Sequence, residues 1–156
     1  MPKITTFLTF DNQAEDAANF YTSVFKGSKI VSTARYGDAG PGPKGSLMTA
    51  TISLDGQELM LLNGGPTFKF SQAFSLFVSC ETQAEVDDYW SKLTEGGKEI
   101  QCGWLVDKFG VSWQIIPTIL MKLMSDKDPK KAGRVMQAML KMVKIDAAGL
   151  QRAAEG

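Results

Sequence analysis

Residues 82–90 read TQAEVDDYW, and about 70 residues earlier residues 12–21 read NQAEDAANFY. Each stretch opens with a good N-cap residue, Asn12 or Thr82, and a glutamate follows three residues later, which is the spacing of a capping box. Apolar side chains then recur at helical spacing, and glycines follow both stretches. The near-repetition predicts two equivalent amphipathic helices.

The segments around these predicted helices, residues 12–25 and 82–93, repeat as well. A strand-like alternation of apolar and polar residues precedes each helix, and further β-type runs follow it. The pair Asp55-Gly56 predicts a tight hairpin late in the first half, and Gly110 marks a turn at the corresponding place in the second. Each half therefore reads strand, helix, strand, strand, strand.

A repeat of this length indicates one module written twice rather than a solenoid. We predict an α+β fold of two βαβββ modules, residues 1–68 and 69–118, that form one paired domain over residues 1–118. Residues 119–156 have a helical pattern and are predicted to form a C-terminal extension. Within it, Pro129 is typical of the first turn of a helix, and Asp146 can cap a last short helix.

The extension carries a broad apolar stripe that spans more than a third of its helix. Its members are Val135, Met136, Met139, Leu140, Met142 and Val143. A single barrel would cover a narrower stripe, and an exposed remainder would be a large apolar patch for a monomer. We therefore predict a homodimer that these helices help to hold. The alternative is that both sides of the helix are buried within the same chain.

The composition bounds the function. The 156 residues are 44% apolar and 22% charged, and 17 basic residues balance 17 acidic ones. That balance argues against a nucleic-acid or anionic-membrane partner. No apolar run is long enough for a membrane span and no leader pattern opens the sequence, so a cytoplasmic location is predicted. Histidine is absent, which removes His-activated nucleophiles and His metal sites. Cys80 and Cys102 are predicted to be free core thiols.

Several segments together resemble one protein family. They are FLTFDNQAEDAANFYTSVF, PGPKGSLMTATISLDGQ, LNGGPTFKF, QCGWLVDKFGVSWQIIP and RVMQAMLKMVKIDAAGLQRAA. The chain resembles the PhnB-like branch, labelled 3-demethylubiquinone-9 3-methyltransferase-like, of the vicinal oxygen chelate or glyoxalase–bleomycin resistance superfamily. The resemblance implies a cavity on the inward face of each cupped sheet, with functional positions on the first and last strand of each module.

Carried over to this sequence, those positions are Thr6, Met60, Ser75 and Gln114. Two hydroxyls, a thioether and an amide are poor ligands for a first-row divalent ion, so no metal and no cofactor is predicted. Glu58 is the one carboxylate two residues from Met60, and Ser112 shares a strand face with Gln114. The predicted ligand-binding residues are Thr6, Glu58, Met60, Ser75, Ser112 and Gln114. A register shift of one would bring in their neighbours instead, which are Thr5, Phe7, Leu59, Leu61, Phe74, Leu76, Trp113 and Ile115.

Two glycine-rich loops are further candidates. Residues 37–45 read GDAGPGPKG and are predicted to be either a lid over the cavity mouth or a flexible connector. Residues 63–68 read NGGPTF, where two glycines allow the backbone to approach a ligand. The resemblance implies a histidine where Thr67 stands. Asp107 precedes a turn, and turn formation is the default interpretation.

Three hypotheses for the function follow. In the first, the protein binds a small organic ligand in the cupped sheet without a divalent metal. In the second, it is an enzyme of unassigned chemistry, either a metal-dependent lyase or dioxygenase type or the methyltransferase-like type, using Glu58, Asp107 or Arg35; its catalytic residues are unassigned. In the third, it is an interaction domain whose cavity is filled by Met60, Leu62 and aromatic side chains.

Overall fold

The computed structural model describes residues 3–156, which divide into two units between Lys69 and Phe70. The elements of the first unit are β1 (Thr6–Phe10), α1 (Ala14–Val24), β2 (Lys29–Arg35), β3 (Leu47–Leu54) and β4 (Gln57–Asn63). Those of the second are β5 (Ser75–Cys80), α2 (Gln83–Thr94), β6 (Lys98–Glu99), β7 (Trp104–Val106), β8 (Ser112–Pro117), α3 (Thr118–Met124), α4 (Pro129–Leu140) and α5 (Ala147–Glu155). The predicted βαβββ repeat and the C-terminal helices are confirmed, whereas the paired domain over residues 1–118 stays a prediction.

Each module forms a four-stranded mixed sheet with the same topology. The strand order is β1-β4-β3-β2 in the first and β5-β8-β7-β6 in the second, and the first and last strands of each module pair in parallel. One face of each sheet is covered by the helix of its own module. In the first unit Leu59 and Leu61 are buried with Tyr21 of α1, and in the second Trp113 and Ile115 are buried with α2 residues such as Val86.

The two module helices begin differently, although their sequences are alike. Thr82 caps α2 as predicted, because its Oγ1 accepts a hydrogen bond of 3.2 Å from the Glu85 backbone N–H. The Glu85 carboxylate reaches back to the Glu81 N–H at 2.9 Å. The prediction that Asn12 caps α1 is wrong, because the N-cap residue is Gln13 and its side chain makes no capping hydrogen bond.

The N-terminus of α1 is capped from another strand instead. Asn63, at the end of β4, accepts a hydrogen bond of 2.8 Å from the Ala14 N–H through its side-chain oxygen. Its amide nitrogen donates to the Leu47 carbonyl at 3.2 Å. Glu15, predicted to complete a capping box, pairs with Arg35 at 2.6 Å. The cap of α1 is therefore a tertiary contact.

The C-terminal helices complete the core of the second unit. Ile116 of β8 and Leu120 of α3 are buried in one cluster with residues of α4, α5 and their connection. The other buried members are Val135, Ile145, Leu150 and Ala154, with Met139 and Met142 packed against them. Asp128 caps α4 through the Lys130 N–H at 3.0 Å, and Pro129 starts it as predicted. Asp146 is the N-cap residue of α5, without a capping side-chain hydrogen bond.

The same extension also holds the link between β6 and β7. The Cys102 and Gly103 N–H groups each donate at 2.8 Å, to the Met142 and Val143 carbonyls. Residue 103 has φ +84°, and an added Cβ would lie 2.8 Å from the Ile116 side chain and 2.9 Å from that of Ile145. Only glycine fits this close approach without strain.

Within residues 3–156, no helix combines the length and apolar character required to span a bilayer.

Candidate functional site

The face of each sheet that points away from its module helix is called here the open face. Residues paired in register lie on the same face, so the register shows on which face each paired side chain lies. On the second open face one row across the strands is Ser75, Ser112, Val106 and Lys98. The next row is Phe77, Gln114 and Trp104. On the first open face, Phe7 pairs with Met60, and Lys29, Ser53 and Glu58 form a row.

The placement of Thr6 beside Met60 is wrong by one residue. Thr6 pairs with Leu59, which is buried against the helix side, whereas Phe7 pairs with Met60. In the second module the residue paired with Gln114 is Phe77, two positions beyond Ser75. Phe7 and Phe77 thus hold equivalent positions, and each is 50% exposed. The sequence obscured them because apolar residues occur on both faces of these strands.

The predicted residues of the second module do lie together. Ser75, Ser112 and Gln114 share the second open face, and the Gln114 side-chain amide donates to Ser75 Oγ at 3.0 Å. Glu58 and Met60 share the first open face. Trp113 faces the opposite way from Gln114 and is buried in the core, so the register shift that would bring it into the site does not occur.

A depression of about 570 Å³ opens on the second unit. Its lining residues are Phe70, Ser71, Gln72, Lys98, Val106, Gly110 and Ser112. Ser112 is only 2% exposed, and its Oγ has no hydrogen-bond partner among residues 3–156. A buried hydroxyl without a partner is costly, so a polar group that reached this closed-off atom, after the lining side chains moved aside, would relieve that cost.

Asp107 has a structural role at the turn between β7 and β8. Its Oδ1 accepts from the Phe109 N–H at 2.8 Å and the Val111 N–H at 3.0 Å, and its Oδ2 accepts from Trp113 Nε1 at 2.8 Å. The carboxylate is 3% exposed. These three donors engage both oxygens, which agrees with the predicted turn and leaves little for acid–base chemistry at this residue.

The environments of Arg35 and of the two cysteines also differ from the environment that a catalytic group would need. The Arg35 guanidinium donates to Glu15 at 2.6 Å on the helix side of the first sheet, and it lowers the pKa of that exposed carboxyl. Burial raises the pKa of the Cys80 thiol to about 12, so it stays protonated and inert near neutral pH. Cys102 is half-buried, so it departs from the predicted core position.

The two glycine-rich loops meet at Tyr36. Its ring is buried beneath Gly40 and Gly42, where any added Cβ would collide with the ring. Its hydroxyl donates to the Asn63 carbonyl at 2.7 Å, at the start of the second loop. Residues 37–45 are thus anchored to residues 63–68 through one side chain. Their role as a lid stays a prediction.

The superfamily's metal positions do not suit a metal in this chain. The register assigns them to Phe7, Met60, Phe77 and Gln114, and none of these supplies an imidazole, thiolate or carboxylate. Among residues 3–156, no three or more His, Cys, Asp or Glu side chains come together in a way that could hold an ion.

Comparisons with known proteins agree with this architecture. The family model described as 3-demethylubiquinone-9 3-methyltransferase matches residues 2–116, so the C-terminal helices lie beyond it. A putative 3-demethylubiquinone-9 3-methyltransferase, the PhnB protein of Bacillus cereus, is 44% identical. It covers 75% of this chain and 100% of its own, with a TM-score of 0.70.

Two further solved structures are more distant. A protein from Pseudomonas aeruginosa is 22% identical over 75% of this chain and 98% of its own, with a TM-score of 0.63, and supports the fold alone. A glyoxylase/bleomycin resistance protein/dioxygenase domain from Frankia is 16% identical over 75% of this chain and 92% of its own, with a TM-score of 0.48. A search of curated proteins found no match.

Proposed function

This chain belongs to the 3-demethylubiquinone-9 3-methyltransferase family, PhnB-like within the glyoxalase–bleomycin resistance superfamily, and we propose that it binds a small organic ligand on its second open face without a divalent metal. The observation that carries the proposal is Ser112, a residue that lines a depression of about 570 Å³ and whose buried Oγ has no partner among residues 3–156. A volume of this size suits a small molecule, since ligand sites usually measure about 300–1,000 Å³.

The surroundings of Ser112 have the usual character of a ligand site. Ser75 and Gln114 form a polar pair on the same face, and Phe77 and Trp104 flank Gln114 in its row. Small-molecule sites combine apolar walls with a few polar groups that fix orientation. The first open face differs because Glu58 holds the place that Ser112 holds in the second.

Native mass spectrometry of the purified protein tests the proposal. We expect the wild-type chain to retain a small organic molecule, and Ser112→Ala to retain about tenfold less, since a lost hydrogen bond to a buried group weakens binding by roughly that factor. Ser53→Ala, on the first open face, is the matched control and should retain as much as wild type. Equal retention by wild type and Ser112→Ala would contradict the assignment.

A chain purified without a molecule can be tested with a metabolite library, because a ligand that binds only the folded state raises the melting temperature. The proposal fails if no member raises it, or if Ser112→Ala responds like wild type. Elemental analysis of the same sample tests the metal-free part. One equivalent of zinc, nickel or manganese per chain would contradict that part.

We also propose the homodimer, with a narrower contact surface than the sequence predicts. Met139 and Met142 pack into the chain's own core, whereas Met136, Leu140 and Val143 are 37%, 54% and 38% exposed. These three side chains form the apolar surface that a second copy would cover. Sedimentation velocity of wild type and Leu140→Lys is the test, and a wild-type monomer at micromolar concentration ends the proposal.

A further inference from the structure

Lys98 provides a positive charge at the depression that Ser112 lines. It is the first residue of β6, it is exposed, and it forms no ion pair among residues 3–156. The register places it in the row of Val106 and Ser112. No aspartate or glutamate belongs to this row or to the next one. Glu99, the neighbouring acid, points to the helix side and accepts from Trp90 Nε1 at 3.0 Å.

The spacing suits a group with two acceptor oxygens. Lys98 and Ser112 are two strands apart, which places their Cα atoms about 10 Å from each other. The flexible four-carbon stem of lysine can cover much of that distance. The ammonium can therefore donate to one oxygen of a carboxylate while the Ser112 hydroxyl, once the side chains that cover it move aside, donates to the other.

The adjoining row offers a surface for a flat apolar group. Phe77, Gln114 and Trp104 lie two residues further along the strands, about 7 Å from the row of Ser112. Phe77 is 50% exposed and Trp104 is partly exposed. Aromatic side chains of this kind bind rings by offset or edge-to-face packing.

We infer that the ligand of the second open face is an aromatic carboxylate, with its carboxylate bound by Lys98 and Ser112 and its ring placed against Phe77 and Trp104. This inference rests on the proposed function and specifies its ligand class. The internal repeat supplies a contrast, because the equivalent row of the first module combines Lys29 with Glu58. There the Glu58 carboxylate balances the formal charge of the row and repels an anion.

The test uses the full-length chain and two probes of nearly the same shape, 3-phenylpropionate and its neutral amide. Binding is measured by titration with backbone-amide NMR, which also identifies the surface involved. We expect saturable binding of the carboxylate with shifts in β7 and β8. Binding of the amide should be about tenfold weaker, since the amide has no negative charge to attract the Lys98 ammonium.

The variants distinguish the contribution of the Lys98 charge to binding from that of the rest of the site. Lys98→Met should weaken carboxylate binding about tenfold and leave amide binding unchanged, whereas its repeat counterpart Lys29→Met should change neither. Phe77→Ala should weaken both probes. Ser112→Ala should weaken both as well, and it reports on the proposed function itself.

Equal affinities for the carboxylate and the amide, or no effect of Lys98→Met, would overturn the inference while leaving a Ser112-dependent site in place. Carboxylate binding with the same affinity in Ser112→Ala as in wild type would instead contradict the proposed function. The absence of saturable carboxylate binding at millimolar concentration, or shifts confined to the first unit, would also overturn the inference.

Discussion

The two modules share one topology and are stabilised in different ways. In the first, β2, β3 and β4 have 7, 8 and 7 residues, and the long ladder holds the module. In the second, β6 and β7 have only 2 and 3 residues. Asp107 and the C-terminal helices make contacts there that have no counterpart among the described residues of the first module. A repeated fold can therefore keep its topology while replacing strand pairing with other contacts.

The two open faces also differ in the side chains at equivalent positions. Equivalent positions carry Glu58 and Ser112, Met60 and Gln114, and Lys29 and Lys98. The phenylalanines Phe7 and Phe77 are the constant element. The row on the first face thus combines a lysine with a glutamate, whereas the equivalent row on the second face combines a lysine with the buried Ser112 and contains no acidic residue.

Of the changes that test how the two modules are stabilised, removing residues 126–156 should have the largest effect. The cut deletes Val135, Ile145 and Leu150 from the core, and each buried side chain of this size contributes about 1.5–3 kcal/mol. We expect the second unit to unfold, since a whole domain is stable by only about 5–15 kcal/mol. All three tryptophans lie in this unit, so their emission is the measurement. Native emission from the shortened chain would refute the dependence, and Lys141→Ala, at an exposed site outside the proposed dimer surface, is the control.

Asp107→Ala compares the two turns between the last strands. The change leaves the Phe109, Val111 and Trp113 donors without their acceptor, and we expect a loss of about 3–5 kcal/mol in the free energy of unfolding. Asp55→Ala alters the matching turn, where Asp55 is exposed with φ 48°, and should cost about 1 kcal/mol. Urea denaturation measures both. Similar losses for the two variants would mean that the turns are stabilised alike.

Asn63→Ala compares the two helix caps. It removes the acceptor for Ala14 N–H and the donor to Leu47, so we expect a loss of about 2 kcal/mol. Thr82→Ala removes a local cap from α2 and should cost about 1 kcal/mol. Hydrogen exchange of the α1 and α2 amides separates the two effects. Unchanged protection of α1 in Asn63→Ala would show that the tertiary cap contributes nothing.

Alkaline pH should weaken the second unit more than the first, because Cys80 belongs to the second. Folding raises the pKa of Cys80 to about 12, whereas an unfolded thiol titrates near 8.5. The contribution is complete below the unfolded pKa, and it falls by about 1.4 kcal/mol per pH unit as the pH rises above about 9. Urea denaturation followed by tryptophan emission at several pH values should show this slope in wild type and in Cys102→Ala. A slope that persists in Cys80→Ala would assign it to another group.

The sequence predicts those features that depend on local order along the chain. Thr82 lies next to the helix it caps, and Asp55-Gly56 forms its own hairpin, so both could be inferred. Asn63 caps a helix 49 residues away, and no local pattern indicates such a contact. Thr6 is misplaced because β1 has apolar residues on both faces, so alternation does not fix the register. Ser112 is found by the face on which it lies, but no local pattern indicates that it is buried in a depression that residues 70–72 also line.

The two hydrogen bonds between residues 102–103 and residues 142–143 also set an order of events during synthesis. The first sheet has all its strands once residue 63 has been made. The backbone donors of Cys102 and Gly103 must await acceptors that are made about 40 residues later, an interval of several seconds at about 5–20 residues per second. Until then the β6–β7 link exposes unpaired amides beside apolar strands, as an edge strand does. The second module is thus the part of the nascent chain with the greater need of protection from neighbouring chains.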